Sequence, residues 1–133
     1  MQKQLAVVAA IIQHENTVFI ARRGPGSHLA GHWELPGGKV KHGEDPREAL
    51  TRELYEELRI HTKVGDLFMN HCHDYPEFSV SLSAYFVTGF TGTITPMEHD
   101  RTGWIEPIKY ADVPMAPADT PILAALARDP LFL

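Results

Sequence analysis

The chain has 133 residues, 44% hydrophobic and 22% charged, which suits one domain over residues 1–133 with a sizeable core and leaves no length for a second. Its formal charge of -5 excludes a broad face for duplex or other polymeric nucleic acid, so a phosphate ligand has to be held locally, through a metal. A single cysteine, Cys72, excludes an internal disulfide and points to the cytoplasm, and no run approaches the roughly 20 apolar residues of a membrane helix.

Lys3 to Gln13 and Thr17 to Arg22 predict two strands with His14-Glu15-Asn16 as the turn between them. The run Leu5 to Ile12 behind Lys3 imitates a signal peptide, but it is short, and Gln13-His14-Glu15 stands where small residues would mark cleavage. It reads as a buried strand. Gly24-Pro25-Gly26-Ser27 marks a loop, and a short run from His32 to Leu35 ends at Pro36-Gly37-Gly38. The first helix begins at Asp45-Pro46, with Asp45 as N-cap, Pro46 at the first helical position and Glu48 at capping-box spacing. Those structural roles account for the three residues. Lys63 to Cys72 and Phe78 to Thr88 predict strands joined through His73 to Glu77. Gly89 to Gly103 is turn-rich, Trp104-Ile105 starts a short strand, and the proline-rich stretch Pro107 to Pro121 leads to a last helix. Thr120 is its expected cap, Pro121 opens it, and Ile122, Leu123 and Leu126 make its apolar stripe. The expected architecture is α/β (α+β), a dominant sheet with two or three helices packed on it, without internal repeats.

The first helix carries Glu53, Glu56 and Glu57 within an arc of roughly 100°, beside the stripe of Leu50, Leu54 and Leu58 and not opposite it. Like charges at this spacing repel. Carboxylates at the edge of a core are also partly dehydrated, so they take up protons or gather a cation. A hard divalent ion suits them, Mg²⁺ above all, since it uses a few carboxylates and keeps waters and substrate phosphates. The competing account is a solvated acidic face. Gly37-Gly38 beside the helix, and Arg52 next to Glu53, favour the site.

Gly38, then Glu44 after five residues, then Arg52-Glu53-Leu54-Tyr55-Glu56-Glu57 after seven more, followed by Ile60, resembles the Nudix box. Arg59 departs from it, standing where the family has a glycine suited to ending the helix in a left-handed turn. The run ARRGPGSHLAGHWELPGGK is similar to the region before the box in MutT-type enzymes, Glu98 matches a further ligand position, and APADTP resembles their base-recognition segment. The resemblance implies an α/β/α sandwich with a mixed β-sheet between helices. The implied activity is hydrolysis of nucleoside triphosphates to nucleoside monophosphate and pyrophosphate with Mg²⁺, or Mn²⁺ as a substitute, by a monomer or homodimer. It also implies metal ligation by the Gly37 carbonyl, Glu56, Glu57 and Glu98, with Glu53 as ligand or general base. Arg52 would hold Glu53 and Glu44 would support the loop. Arg23 and Lys39 are candidate phosphate contacts, and Leu35, Gly38 and Asp119 further substrate contacts.

Asp119 precedes a helix, so capping is one role for it; Thr120 can take that role and leave Asp119 to face a base. MutT has asparagine there. Ionised aspartate only accepts, which suits the N–H-rich edges of cytosine or guanine and repels the carbonyl of an oxidised guanine unless the acid is protonated. Substrate choice therefore lies between damaged purine triphosphates such as 8-oxo-dGTP, in nucleotide-pool sanitisation and DNA repair, and CTP or 5-substituted dCTP. Another nucleoside diphosphate derivative, such as ADP-ribose, is a further enzymatic alternative. A regulatory nucleotide-binding module is the non-enzymatic one, which the complete set of box acids disfavours. His71-Cys72-His73 invites a zinc reading but lacks further ligands, so strand histidines are expected. Trp33, Leu35, Tyr75 and Phe78 are candidates for a stacking surface that are more often core.

Overall fold

In the computed structural model, which describes residues 3–132, the fold is organised around β1 (Lys3–His14). Its alternate residues serve two cores. Ala9 and Ile11 pack with Ile122, Leu123 and Leu126 on one face, while Val8, Ala10 and Ile12 pack with Leu50, Leu54 and Leu58 on the other. A strand buried on both sides needs a near-continuous apolar run, which is why Leu5 to Ile12 looks like a leader in sequence.

β1 runs parallel to β6 (Phe78–Thr91), from Lys3 opposite Phe78 to Ile12 opposite Val87. It runs antiparallel to β2 (Thr17–Arg22) and to β4 (Gly37–Lys39). β2 is flanked by β3 (Trp33–Glu34) and β7 (Arg101–Ile105). β6 pairs with the outer strand β5 (His61–Asp74), whose register shifts between Lys63 and Val64, Val64 and Leu67, and Leu67 and Met69. Helix α1 (Pro46–Leu58) covers one face of this mixed sheet and α2 (Thr120–Ala127) the other, giving an α/β/α sandwich.

α1 begins as its sequence indicates: the Asp45 carboxylate accepts from the N–H groups of Arg47 and Glu48 at 3.0 and 3.3 Å. Leu50, Leu54 and Leu58 are fully buried, each contributing about 2 kcal/mol, so the apolar stripe holds the helix and the acids beside it have to be accommodated. Arg59 itself takes the left-handed turn, with φ 59°, and its N–H donates to the Tyr55 carbonyl at 2.9 Å. The free carbonyls at this end are used by a distant segment: Thr95 N–H donates to Leu58 and Met97 N–H to Glu57, at 2.8 and 2.9 Å. The segment that carries Glu98 is thereby pinned to the helix exit.

The Arg59 guanidinium lies 5.3 Å over the Tyr55 ring. Arg59→Gly is expected to relieve about 1 kcal/mol of left-handed strain and lose about 0.5 kcal/mol of cation–π contact, a small net gain. Arg59→Ala keeps the strain, loses the contact and is expected to destabilise by about 0.5 kcal/mol. Urea midpoints of the two variants check this; a less stable glycine variant contradicts the strain argument.

Several boundaries differ from expectation. Gly37 and Gly38 are strand β4 and not loop, because β1 supplies a partner across Val8–Gly38 and Ala9–Gly37. A Cβ on Gly37 would run into the Val8 carbonyl, so the glycine permits the close pairing. The stretch from Gly89 to Gly103 is less turn-rich than its composition suggests: β6 continues to Thr91 and β7 starts at Arg101. β5 likewise begins at His61 and ends at Asp74, two residues beyond the expected limits at each end. Neither Asp119 nor Thr120 caps α2 through its side chain. Thr120 is already helical and its hydroxyl donates back to the Ala116 carbonyl at 3.3 Å.

Candidate active site

One face of the sheet opens into a cleft of about 610 Å³, floored by Leu5 and Val7 of β1 and by Val80 and Leu82 of β6. Gly37, Gly38, Lys39, Glu57 and Glu98 line it, as do Arg23, Glu34, Leu35, Tyr75 and Asp119. Glu44, Arg52, Glu53 and Glu56 stand behind the Gly37–Lys39 strand.

Arg52 organises that second group. Its guanidinium donates to both Glu44 carboxylate oxygens at 2.9 and 3.0 Å, to Glu53 Oε1 at 2.9 Å, to Glu56 Oε2 at 3.2 Å and to the Lys39 carbonyl at 3.0 Å. This planar fork ties the loop before α1 to two turns of the helix. The Arg52 hydrogen bonds, with the Lys41 N–H, hold the Glu44 pKa down at about 2, so Glu44 is a fixed anion. Glu53 differs: burial raises its pKa against the pull of Arg52. Its carboxylate lies against the Cα of Gly38, where a Cβ would overlap it. Only glycine lets strand and acid approach this closely.

Glu57 is the most strained of the acids. Burial, then the charges of Glu34 and Glu53, push its pKa up to about 9, with Glu98 adding to the effect and the Gly37 N–H opposing it. Its Oε2 is buried without a hydrogen-bond partner. Such an orphan oxygen among other carboxylates fits a hard cation with oxygen ligands. Among the described residues, however, no three His, Cys, Asp or Glu side chains converge on one point. Arg52 holds Glu53 and Glu56 instead.

Asp119 is 6% exposed, and its Oδ2 accepts from the Leu35 N–H at 2.9 Å, across 84 residues of sequence. Burial first, then Glu34, raise its pKa to about 8, against the Leu35 N–H and Arg23. Arg23, expected on a phosphate, lies on this side: it donates to Glu34 Oε1 at 3.0 Å and to the His28 carbonyl, and its charge acts on Tyr75 and Asp119. Lys39 lines the cleft, exposed. Of the stacking candidates, Leu35, Tyr75 and Phe78 line the cleft, while Trp33 packs with the core. His73 turns its ring onto Tyr75 at 4.5 Å, and Cys72 is exposed. Sequence reasoning overlooked Glu34 and His99, whose contact spans 65 residues; the only available signal was a carboxylate beside the glycine pair.

The NUDIX domain model matches residues 7–125. The chain is 41% identical over 123 residues to the CTP pyrophosphohydrolase of Escherichia coli K12, spanning 92% of this chain and 91% of that protein. It is 32% identical over 127 residues to the 8-oxo-dGTP diphosphatase of the same strain, spanning 95% and 98%. Among solved structures it is similar to that of the E. coli ORF135 protein, with a TM-score of 0.83 and 40% identity over 93% of this chain and 89% of that one.

Proposed function

The chain belongs to the Nudix family and is a hydrolase of acid anhydrides, and from that premise we propose that it cleaves nucleoside triphosphates to nucleoside monophosphate and pyrophosphate using Mg²⁺, with Mn²⁺ as a substitute. The observation that carries the metal is the buried, unpartnered Oε2 of Glu57. Glu56, Glu57, Glu98 and the Gly37 carbonyl would hold the ion, with Glu53 as a further ligand or as the general base; the ion when bound neutralises phosphate charge and lowers the pKa of its water.

The remaining work falls to side chains already in place. Arg52 fixes Glu53 through Oε1, leaving Oε2 to accept the proton of the attacking water. Burial raises the proton affinity of Glu53 and so strengthens it as a base. Glu44 holds Arg52 with two hydrogen bonds. Lys39 offers its ammonium to the phosphates, and Gly38 lets them approach the backbone.

Base choice rests on Asp119. With a pKa of about 8 it carries a proton at neutral pH, so it accepts from the Leu35 N–H through Oδ2 and still has an O–H to donate. That removes the repulsion expected against an oxidised guanine and supports damaged purine triphosphates such as 8-oxo-dGTP as substrates. CTP or a 5-substituted dCTP is the second reading, favoured by the relative 41% identical to this chain, named for CTP. A single domain over residues 1–133, acting in the cytoplasm, completes the proposal.

The test is pyrophosphate release from 8-oxo-dGTP, dGTP, CTP and 5-methyl-dCTP, with Mg²⁺ and after EDTA. Release that needs the ion, with the highest kcat/KM for 8-oxo-dGTP, is expected; a maximum on a cytosine nucleotide selects the second reading. Binding of nucleotide without release would mark a regulatory module.

A further inference from the structure

Glu34 enters the cleft from β3 and meets His99, which lies just before β7. The two come together because β3 and β7 flank the same strand: β2 pairs Ala21 with Glu34 on one side and Arg22 with Arg101 on the other. Arg22 also holds Asp100 by two hydrogen bonds of 2.9 and 3.1 Å, and the Asp100 N–H donates to the Arg22 carbonyl. His99 thus follows β7's hydrogen-bonded approach to β2, and its side chain is only 5% exposed.

A carboxylate can only accept, so His99 Nε2 carries the proton shared with Glu34 Oε2 at 2.8 Å. The other ring nitrogen, Nδ1, is buried without a partner. Among the described residues Glu34 is therefore the only hydrogen-bond anchor of a buried imidazole, an arrangement with a desolvation cost that packing alone does not explain. Glu34 Oε1 in turn holds Arg23, whose second anchor is the His28 carbonyl.

We propose that His99 is a positioning residue of the nucleotide pocket: it fixes the Glu34 carboxylate, and through it the Arg23 guanidinium, so that the wall beside Asp119 presents one set arrangement of donors and acceptors to a nucleotide. The inference rests on the nucleotide-hydrolase reading above. It places His99 in substrate binding and outside the Arg52–Glu53 group, with which it shares no hydrogen bond.

His99→Asn and His99→Gln separate the hydrogen bond from mere packing. The glutamine amide reaches the place of Nε2, whereas the shorter asparagine amide reaches only that of Nδ1. His99→Asn is expected to raise KM about tenfold with kcat and the Mg²⁺ requirement kept, and His99→Gln to restore KM to within about threefold of wild type. Glu34→Gln, with His99 intact, weakens the same anchor and should also raise KM, which keeps the test open if thermal melting shows that His99→Asn does not fold. Equal KM for the asparagine and glutamine variants, or a fall in kcat with a raised Mg²⁺ requirement, overturns the proposal; the latter would put His99 behind Glu98. A wild-type chain that cleaves no nucleotide in the panel defeats the functional reading instead, and this inference with it.

Discussion

Glu53→Gln is expected to lower kcat by about 10²–10⁴-fold while leaving the fold intact. The side chains are isosteric, and the glutamine carbonyl can still accept from Arg52 Nη1, now 2.9 Å from Glu53 Oε1. Its NH₂ group then occupies the place of Oε2 against Gly38 and cannot take a proton from water. Glu53 is partly buried with a raised pKa, so losing its charge relieves desolvation and offsets the weaker bond to Arg52. Steady-state kinetics with Mg²⁺ and a thermal melt of the same preparation provide the check. Wild-type kcat in the variant would remove Glu53 from the chemistry, and a collapsed melting transition would make its role structural.

The second large effect concerns stability. In the unfolded chain Asp119 loses its proton near its ordinary value of 3.8, whereas in the fold burial keeps the proton on up to about 8. Between those values folding takes up a proton, so stability is full below the unfolded pKa and falls as pH rises towards 8. The slope is at most about 1.4 kcal/mol per pH unit. An asparagine side chain in its place has no proton to lose and can keep the bond from the Leu35 N–H. Asp119→Asn is therefore expected to match the wild type near pH 4 and to exceed it by as much as about 5 kcal/mol at pH 8. Urea denaturation at pH 5, 6, 7 and 8 reads the difference directly; parallel curves for the two proteins would mean that Asp119 is ionised in the fold.

Local signals carried much of the architecture into the sequence. Asp45-Pro46 announces α1, the unbroken apolar run of β1 announces a strand covered on both faces, and Gly38 to Glu57 marks one end of the cleft. What was illegible depends on partners far away in the chain. Gly37-Gly38 has poor strand propensity and becomes β4 only because β1 lies beside it. Asp119 looks like a helix cap until Leu35 claims its carboxylate from 84 residues away. Glu34 and His99 are unremarkable singly and acquire meaning only across β2. Arg59 was legible in identity but not in conformation: the sequence shows a missing glycine, and the backbone takes the glycine's turn regardless.

The broken register of β5 has a consequence for how the molecule behaves in a crowded solution. A regular outer strand of this length, His61–Asp74, would offer neighbours an uninterrupted ladder of free amides and carbonyls, the template on which fibres grow. Three shifts within Lys63 to Met69 twist that ladder out of phase. Bringing the whole strand back into register would restore that template and favour self-association.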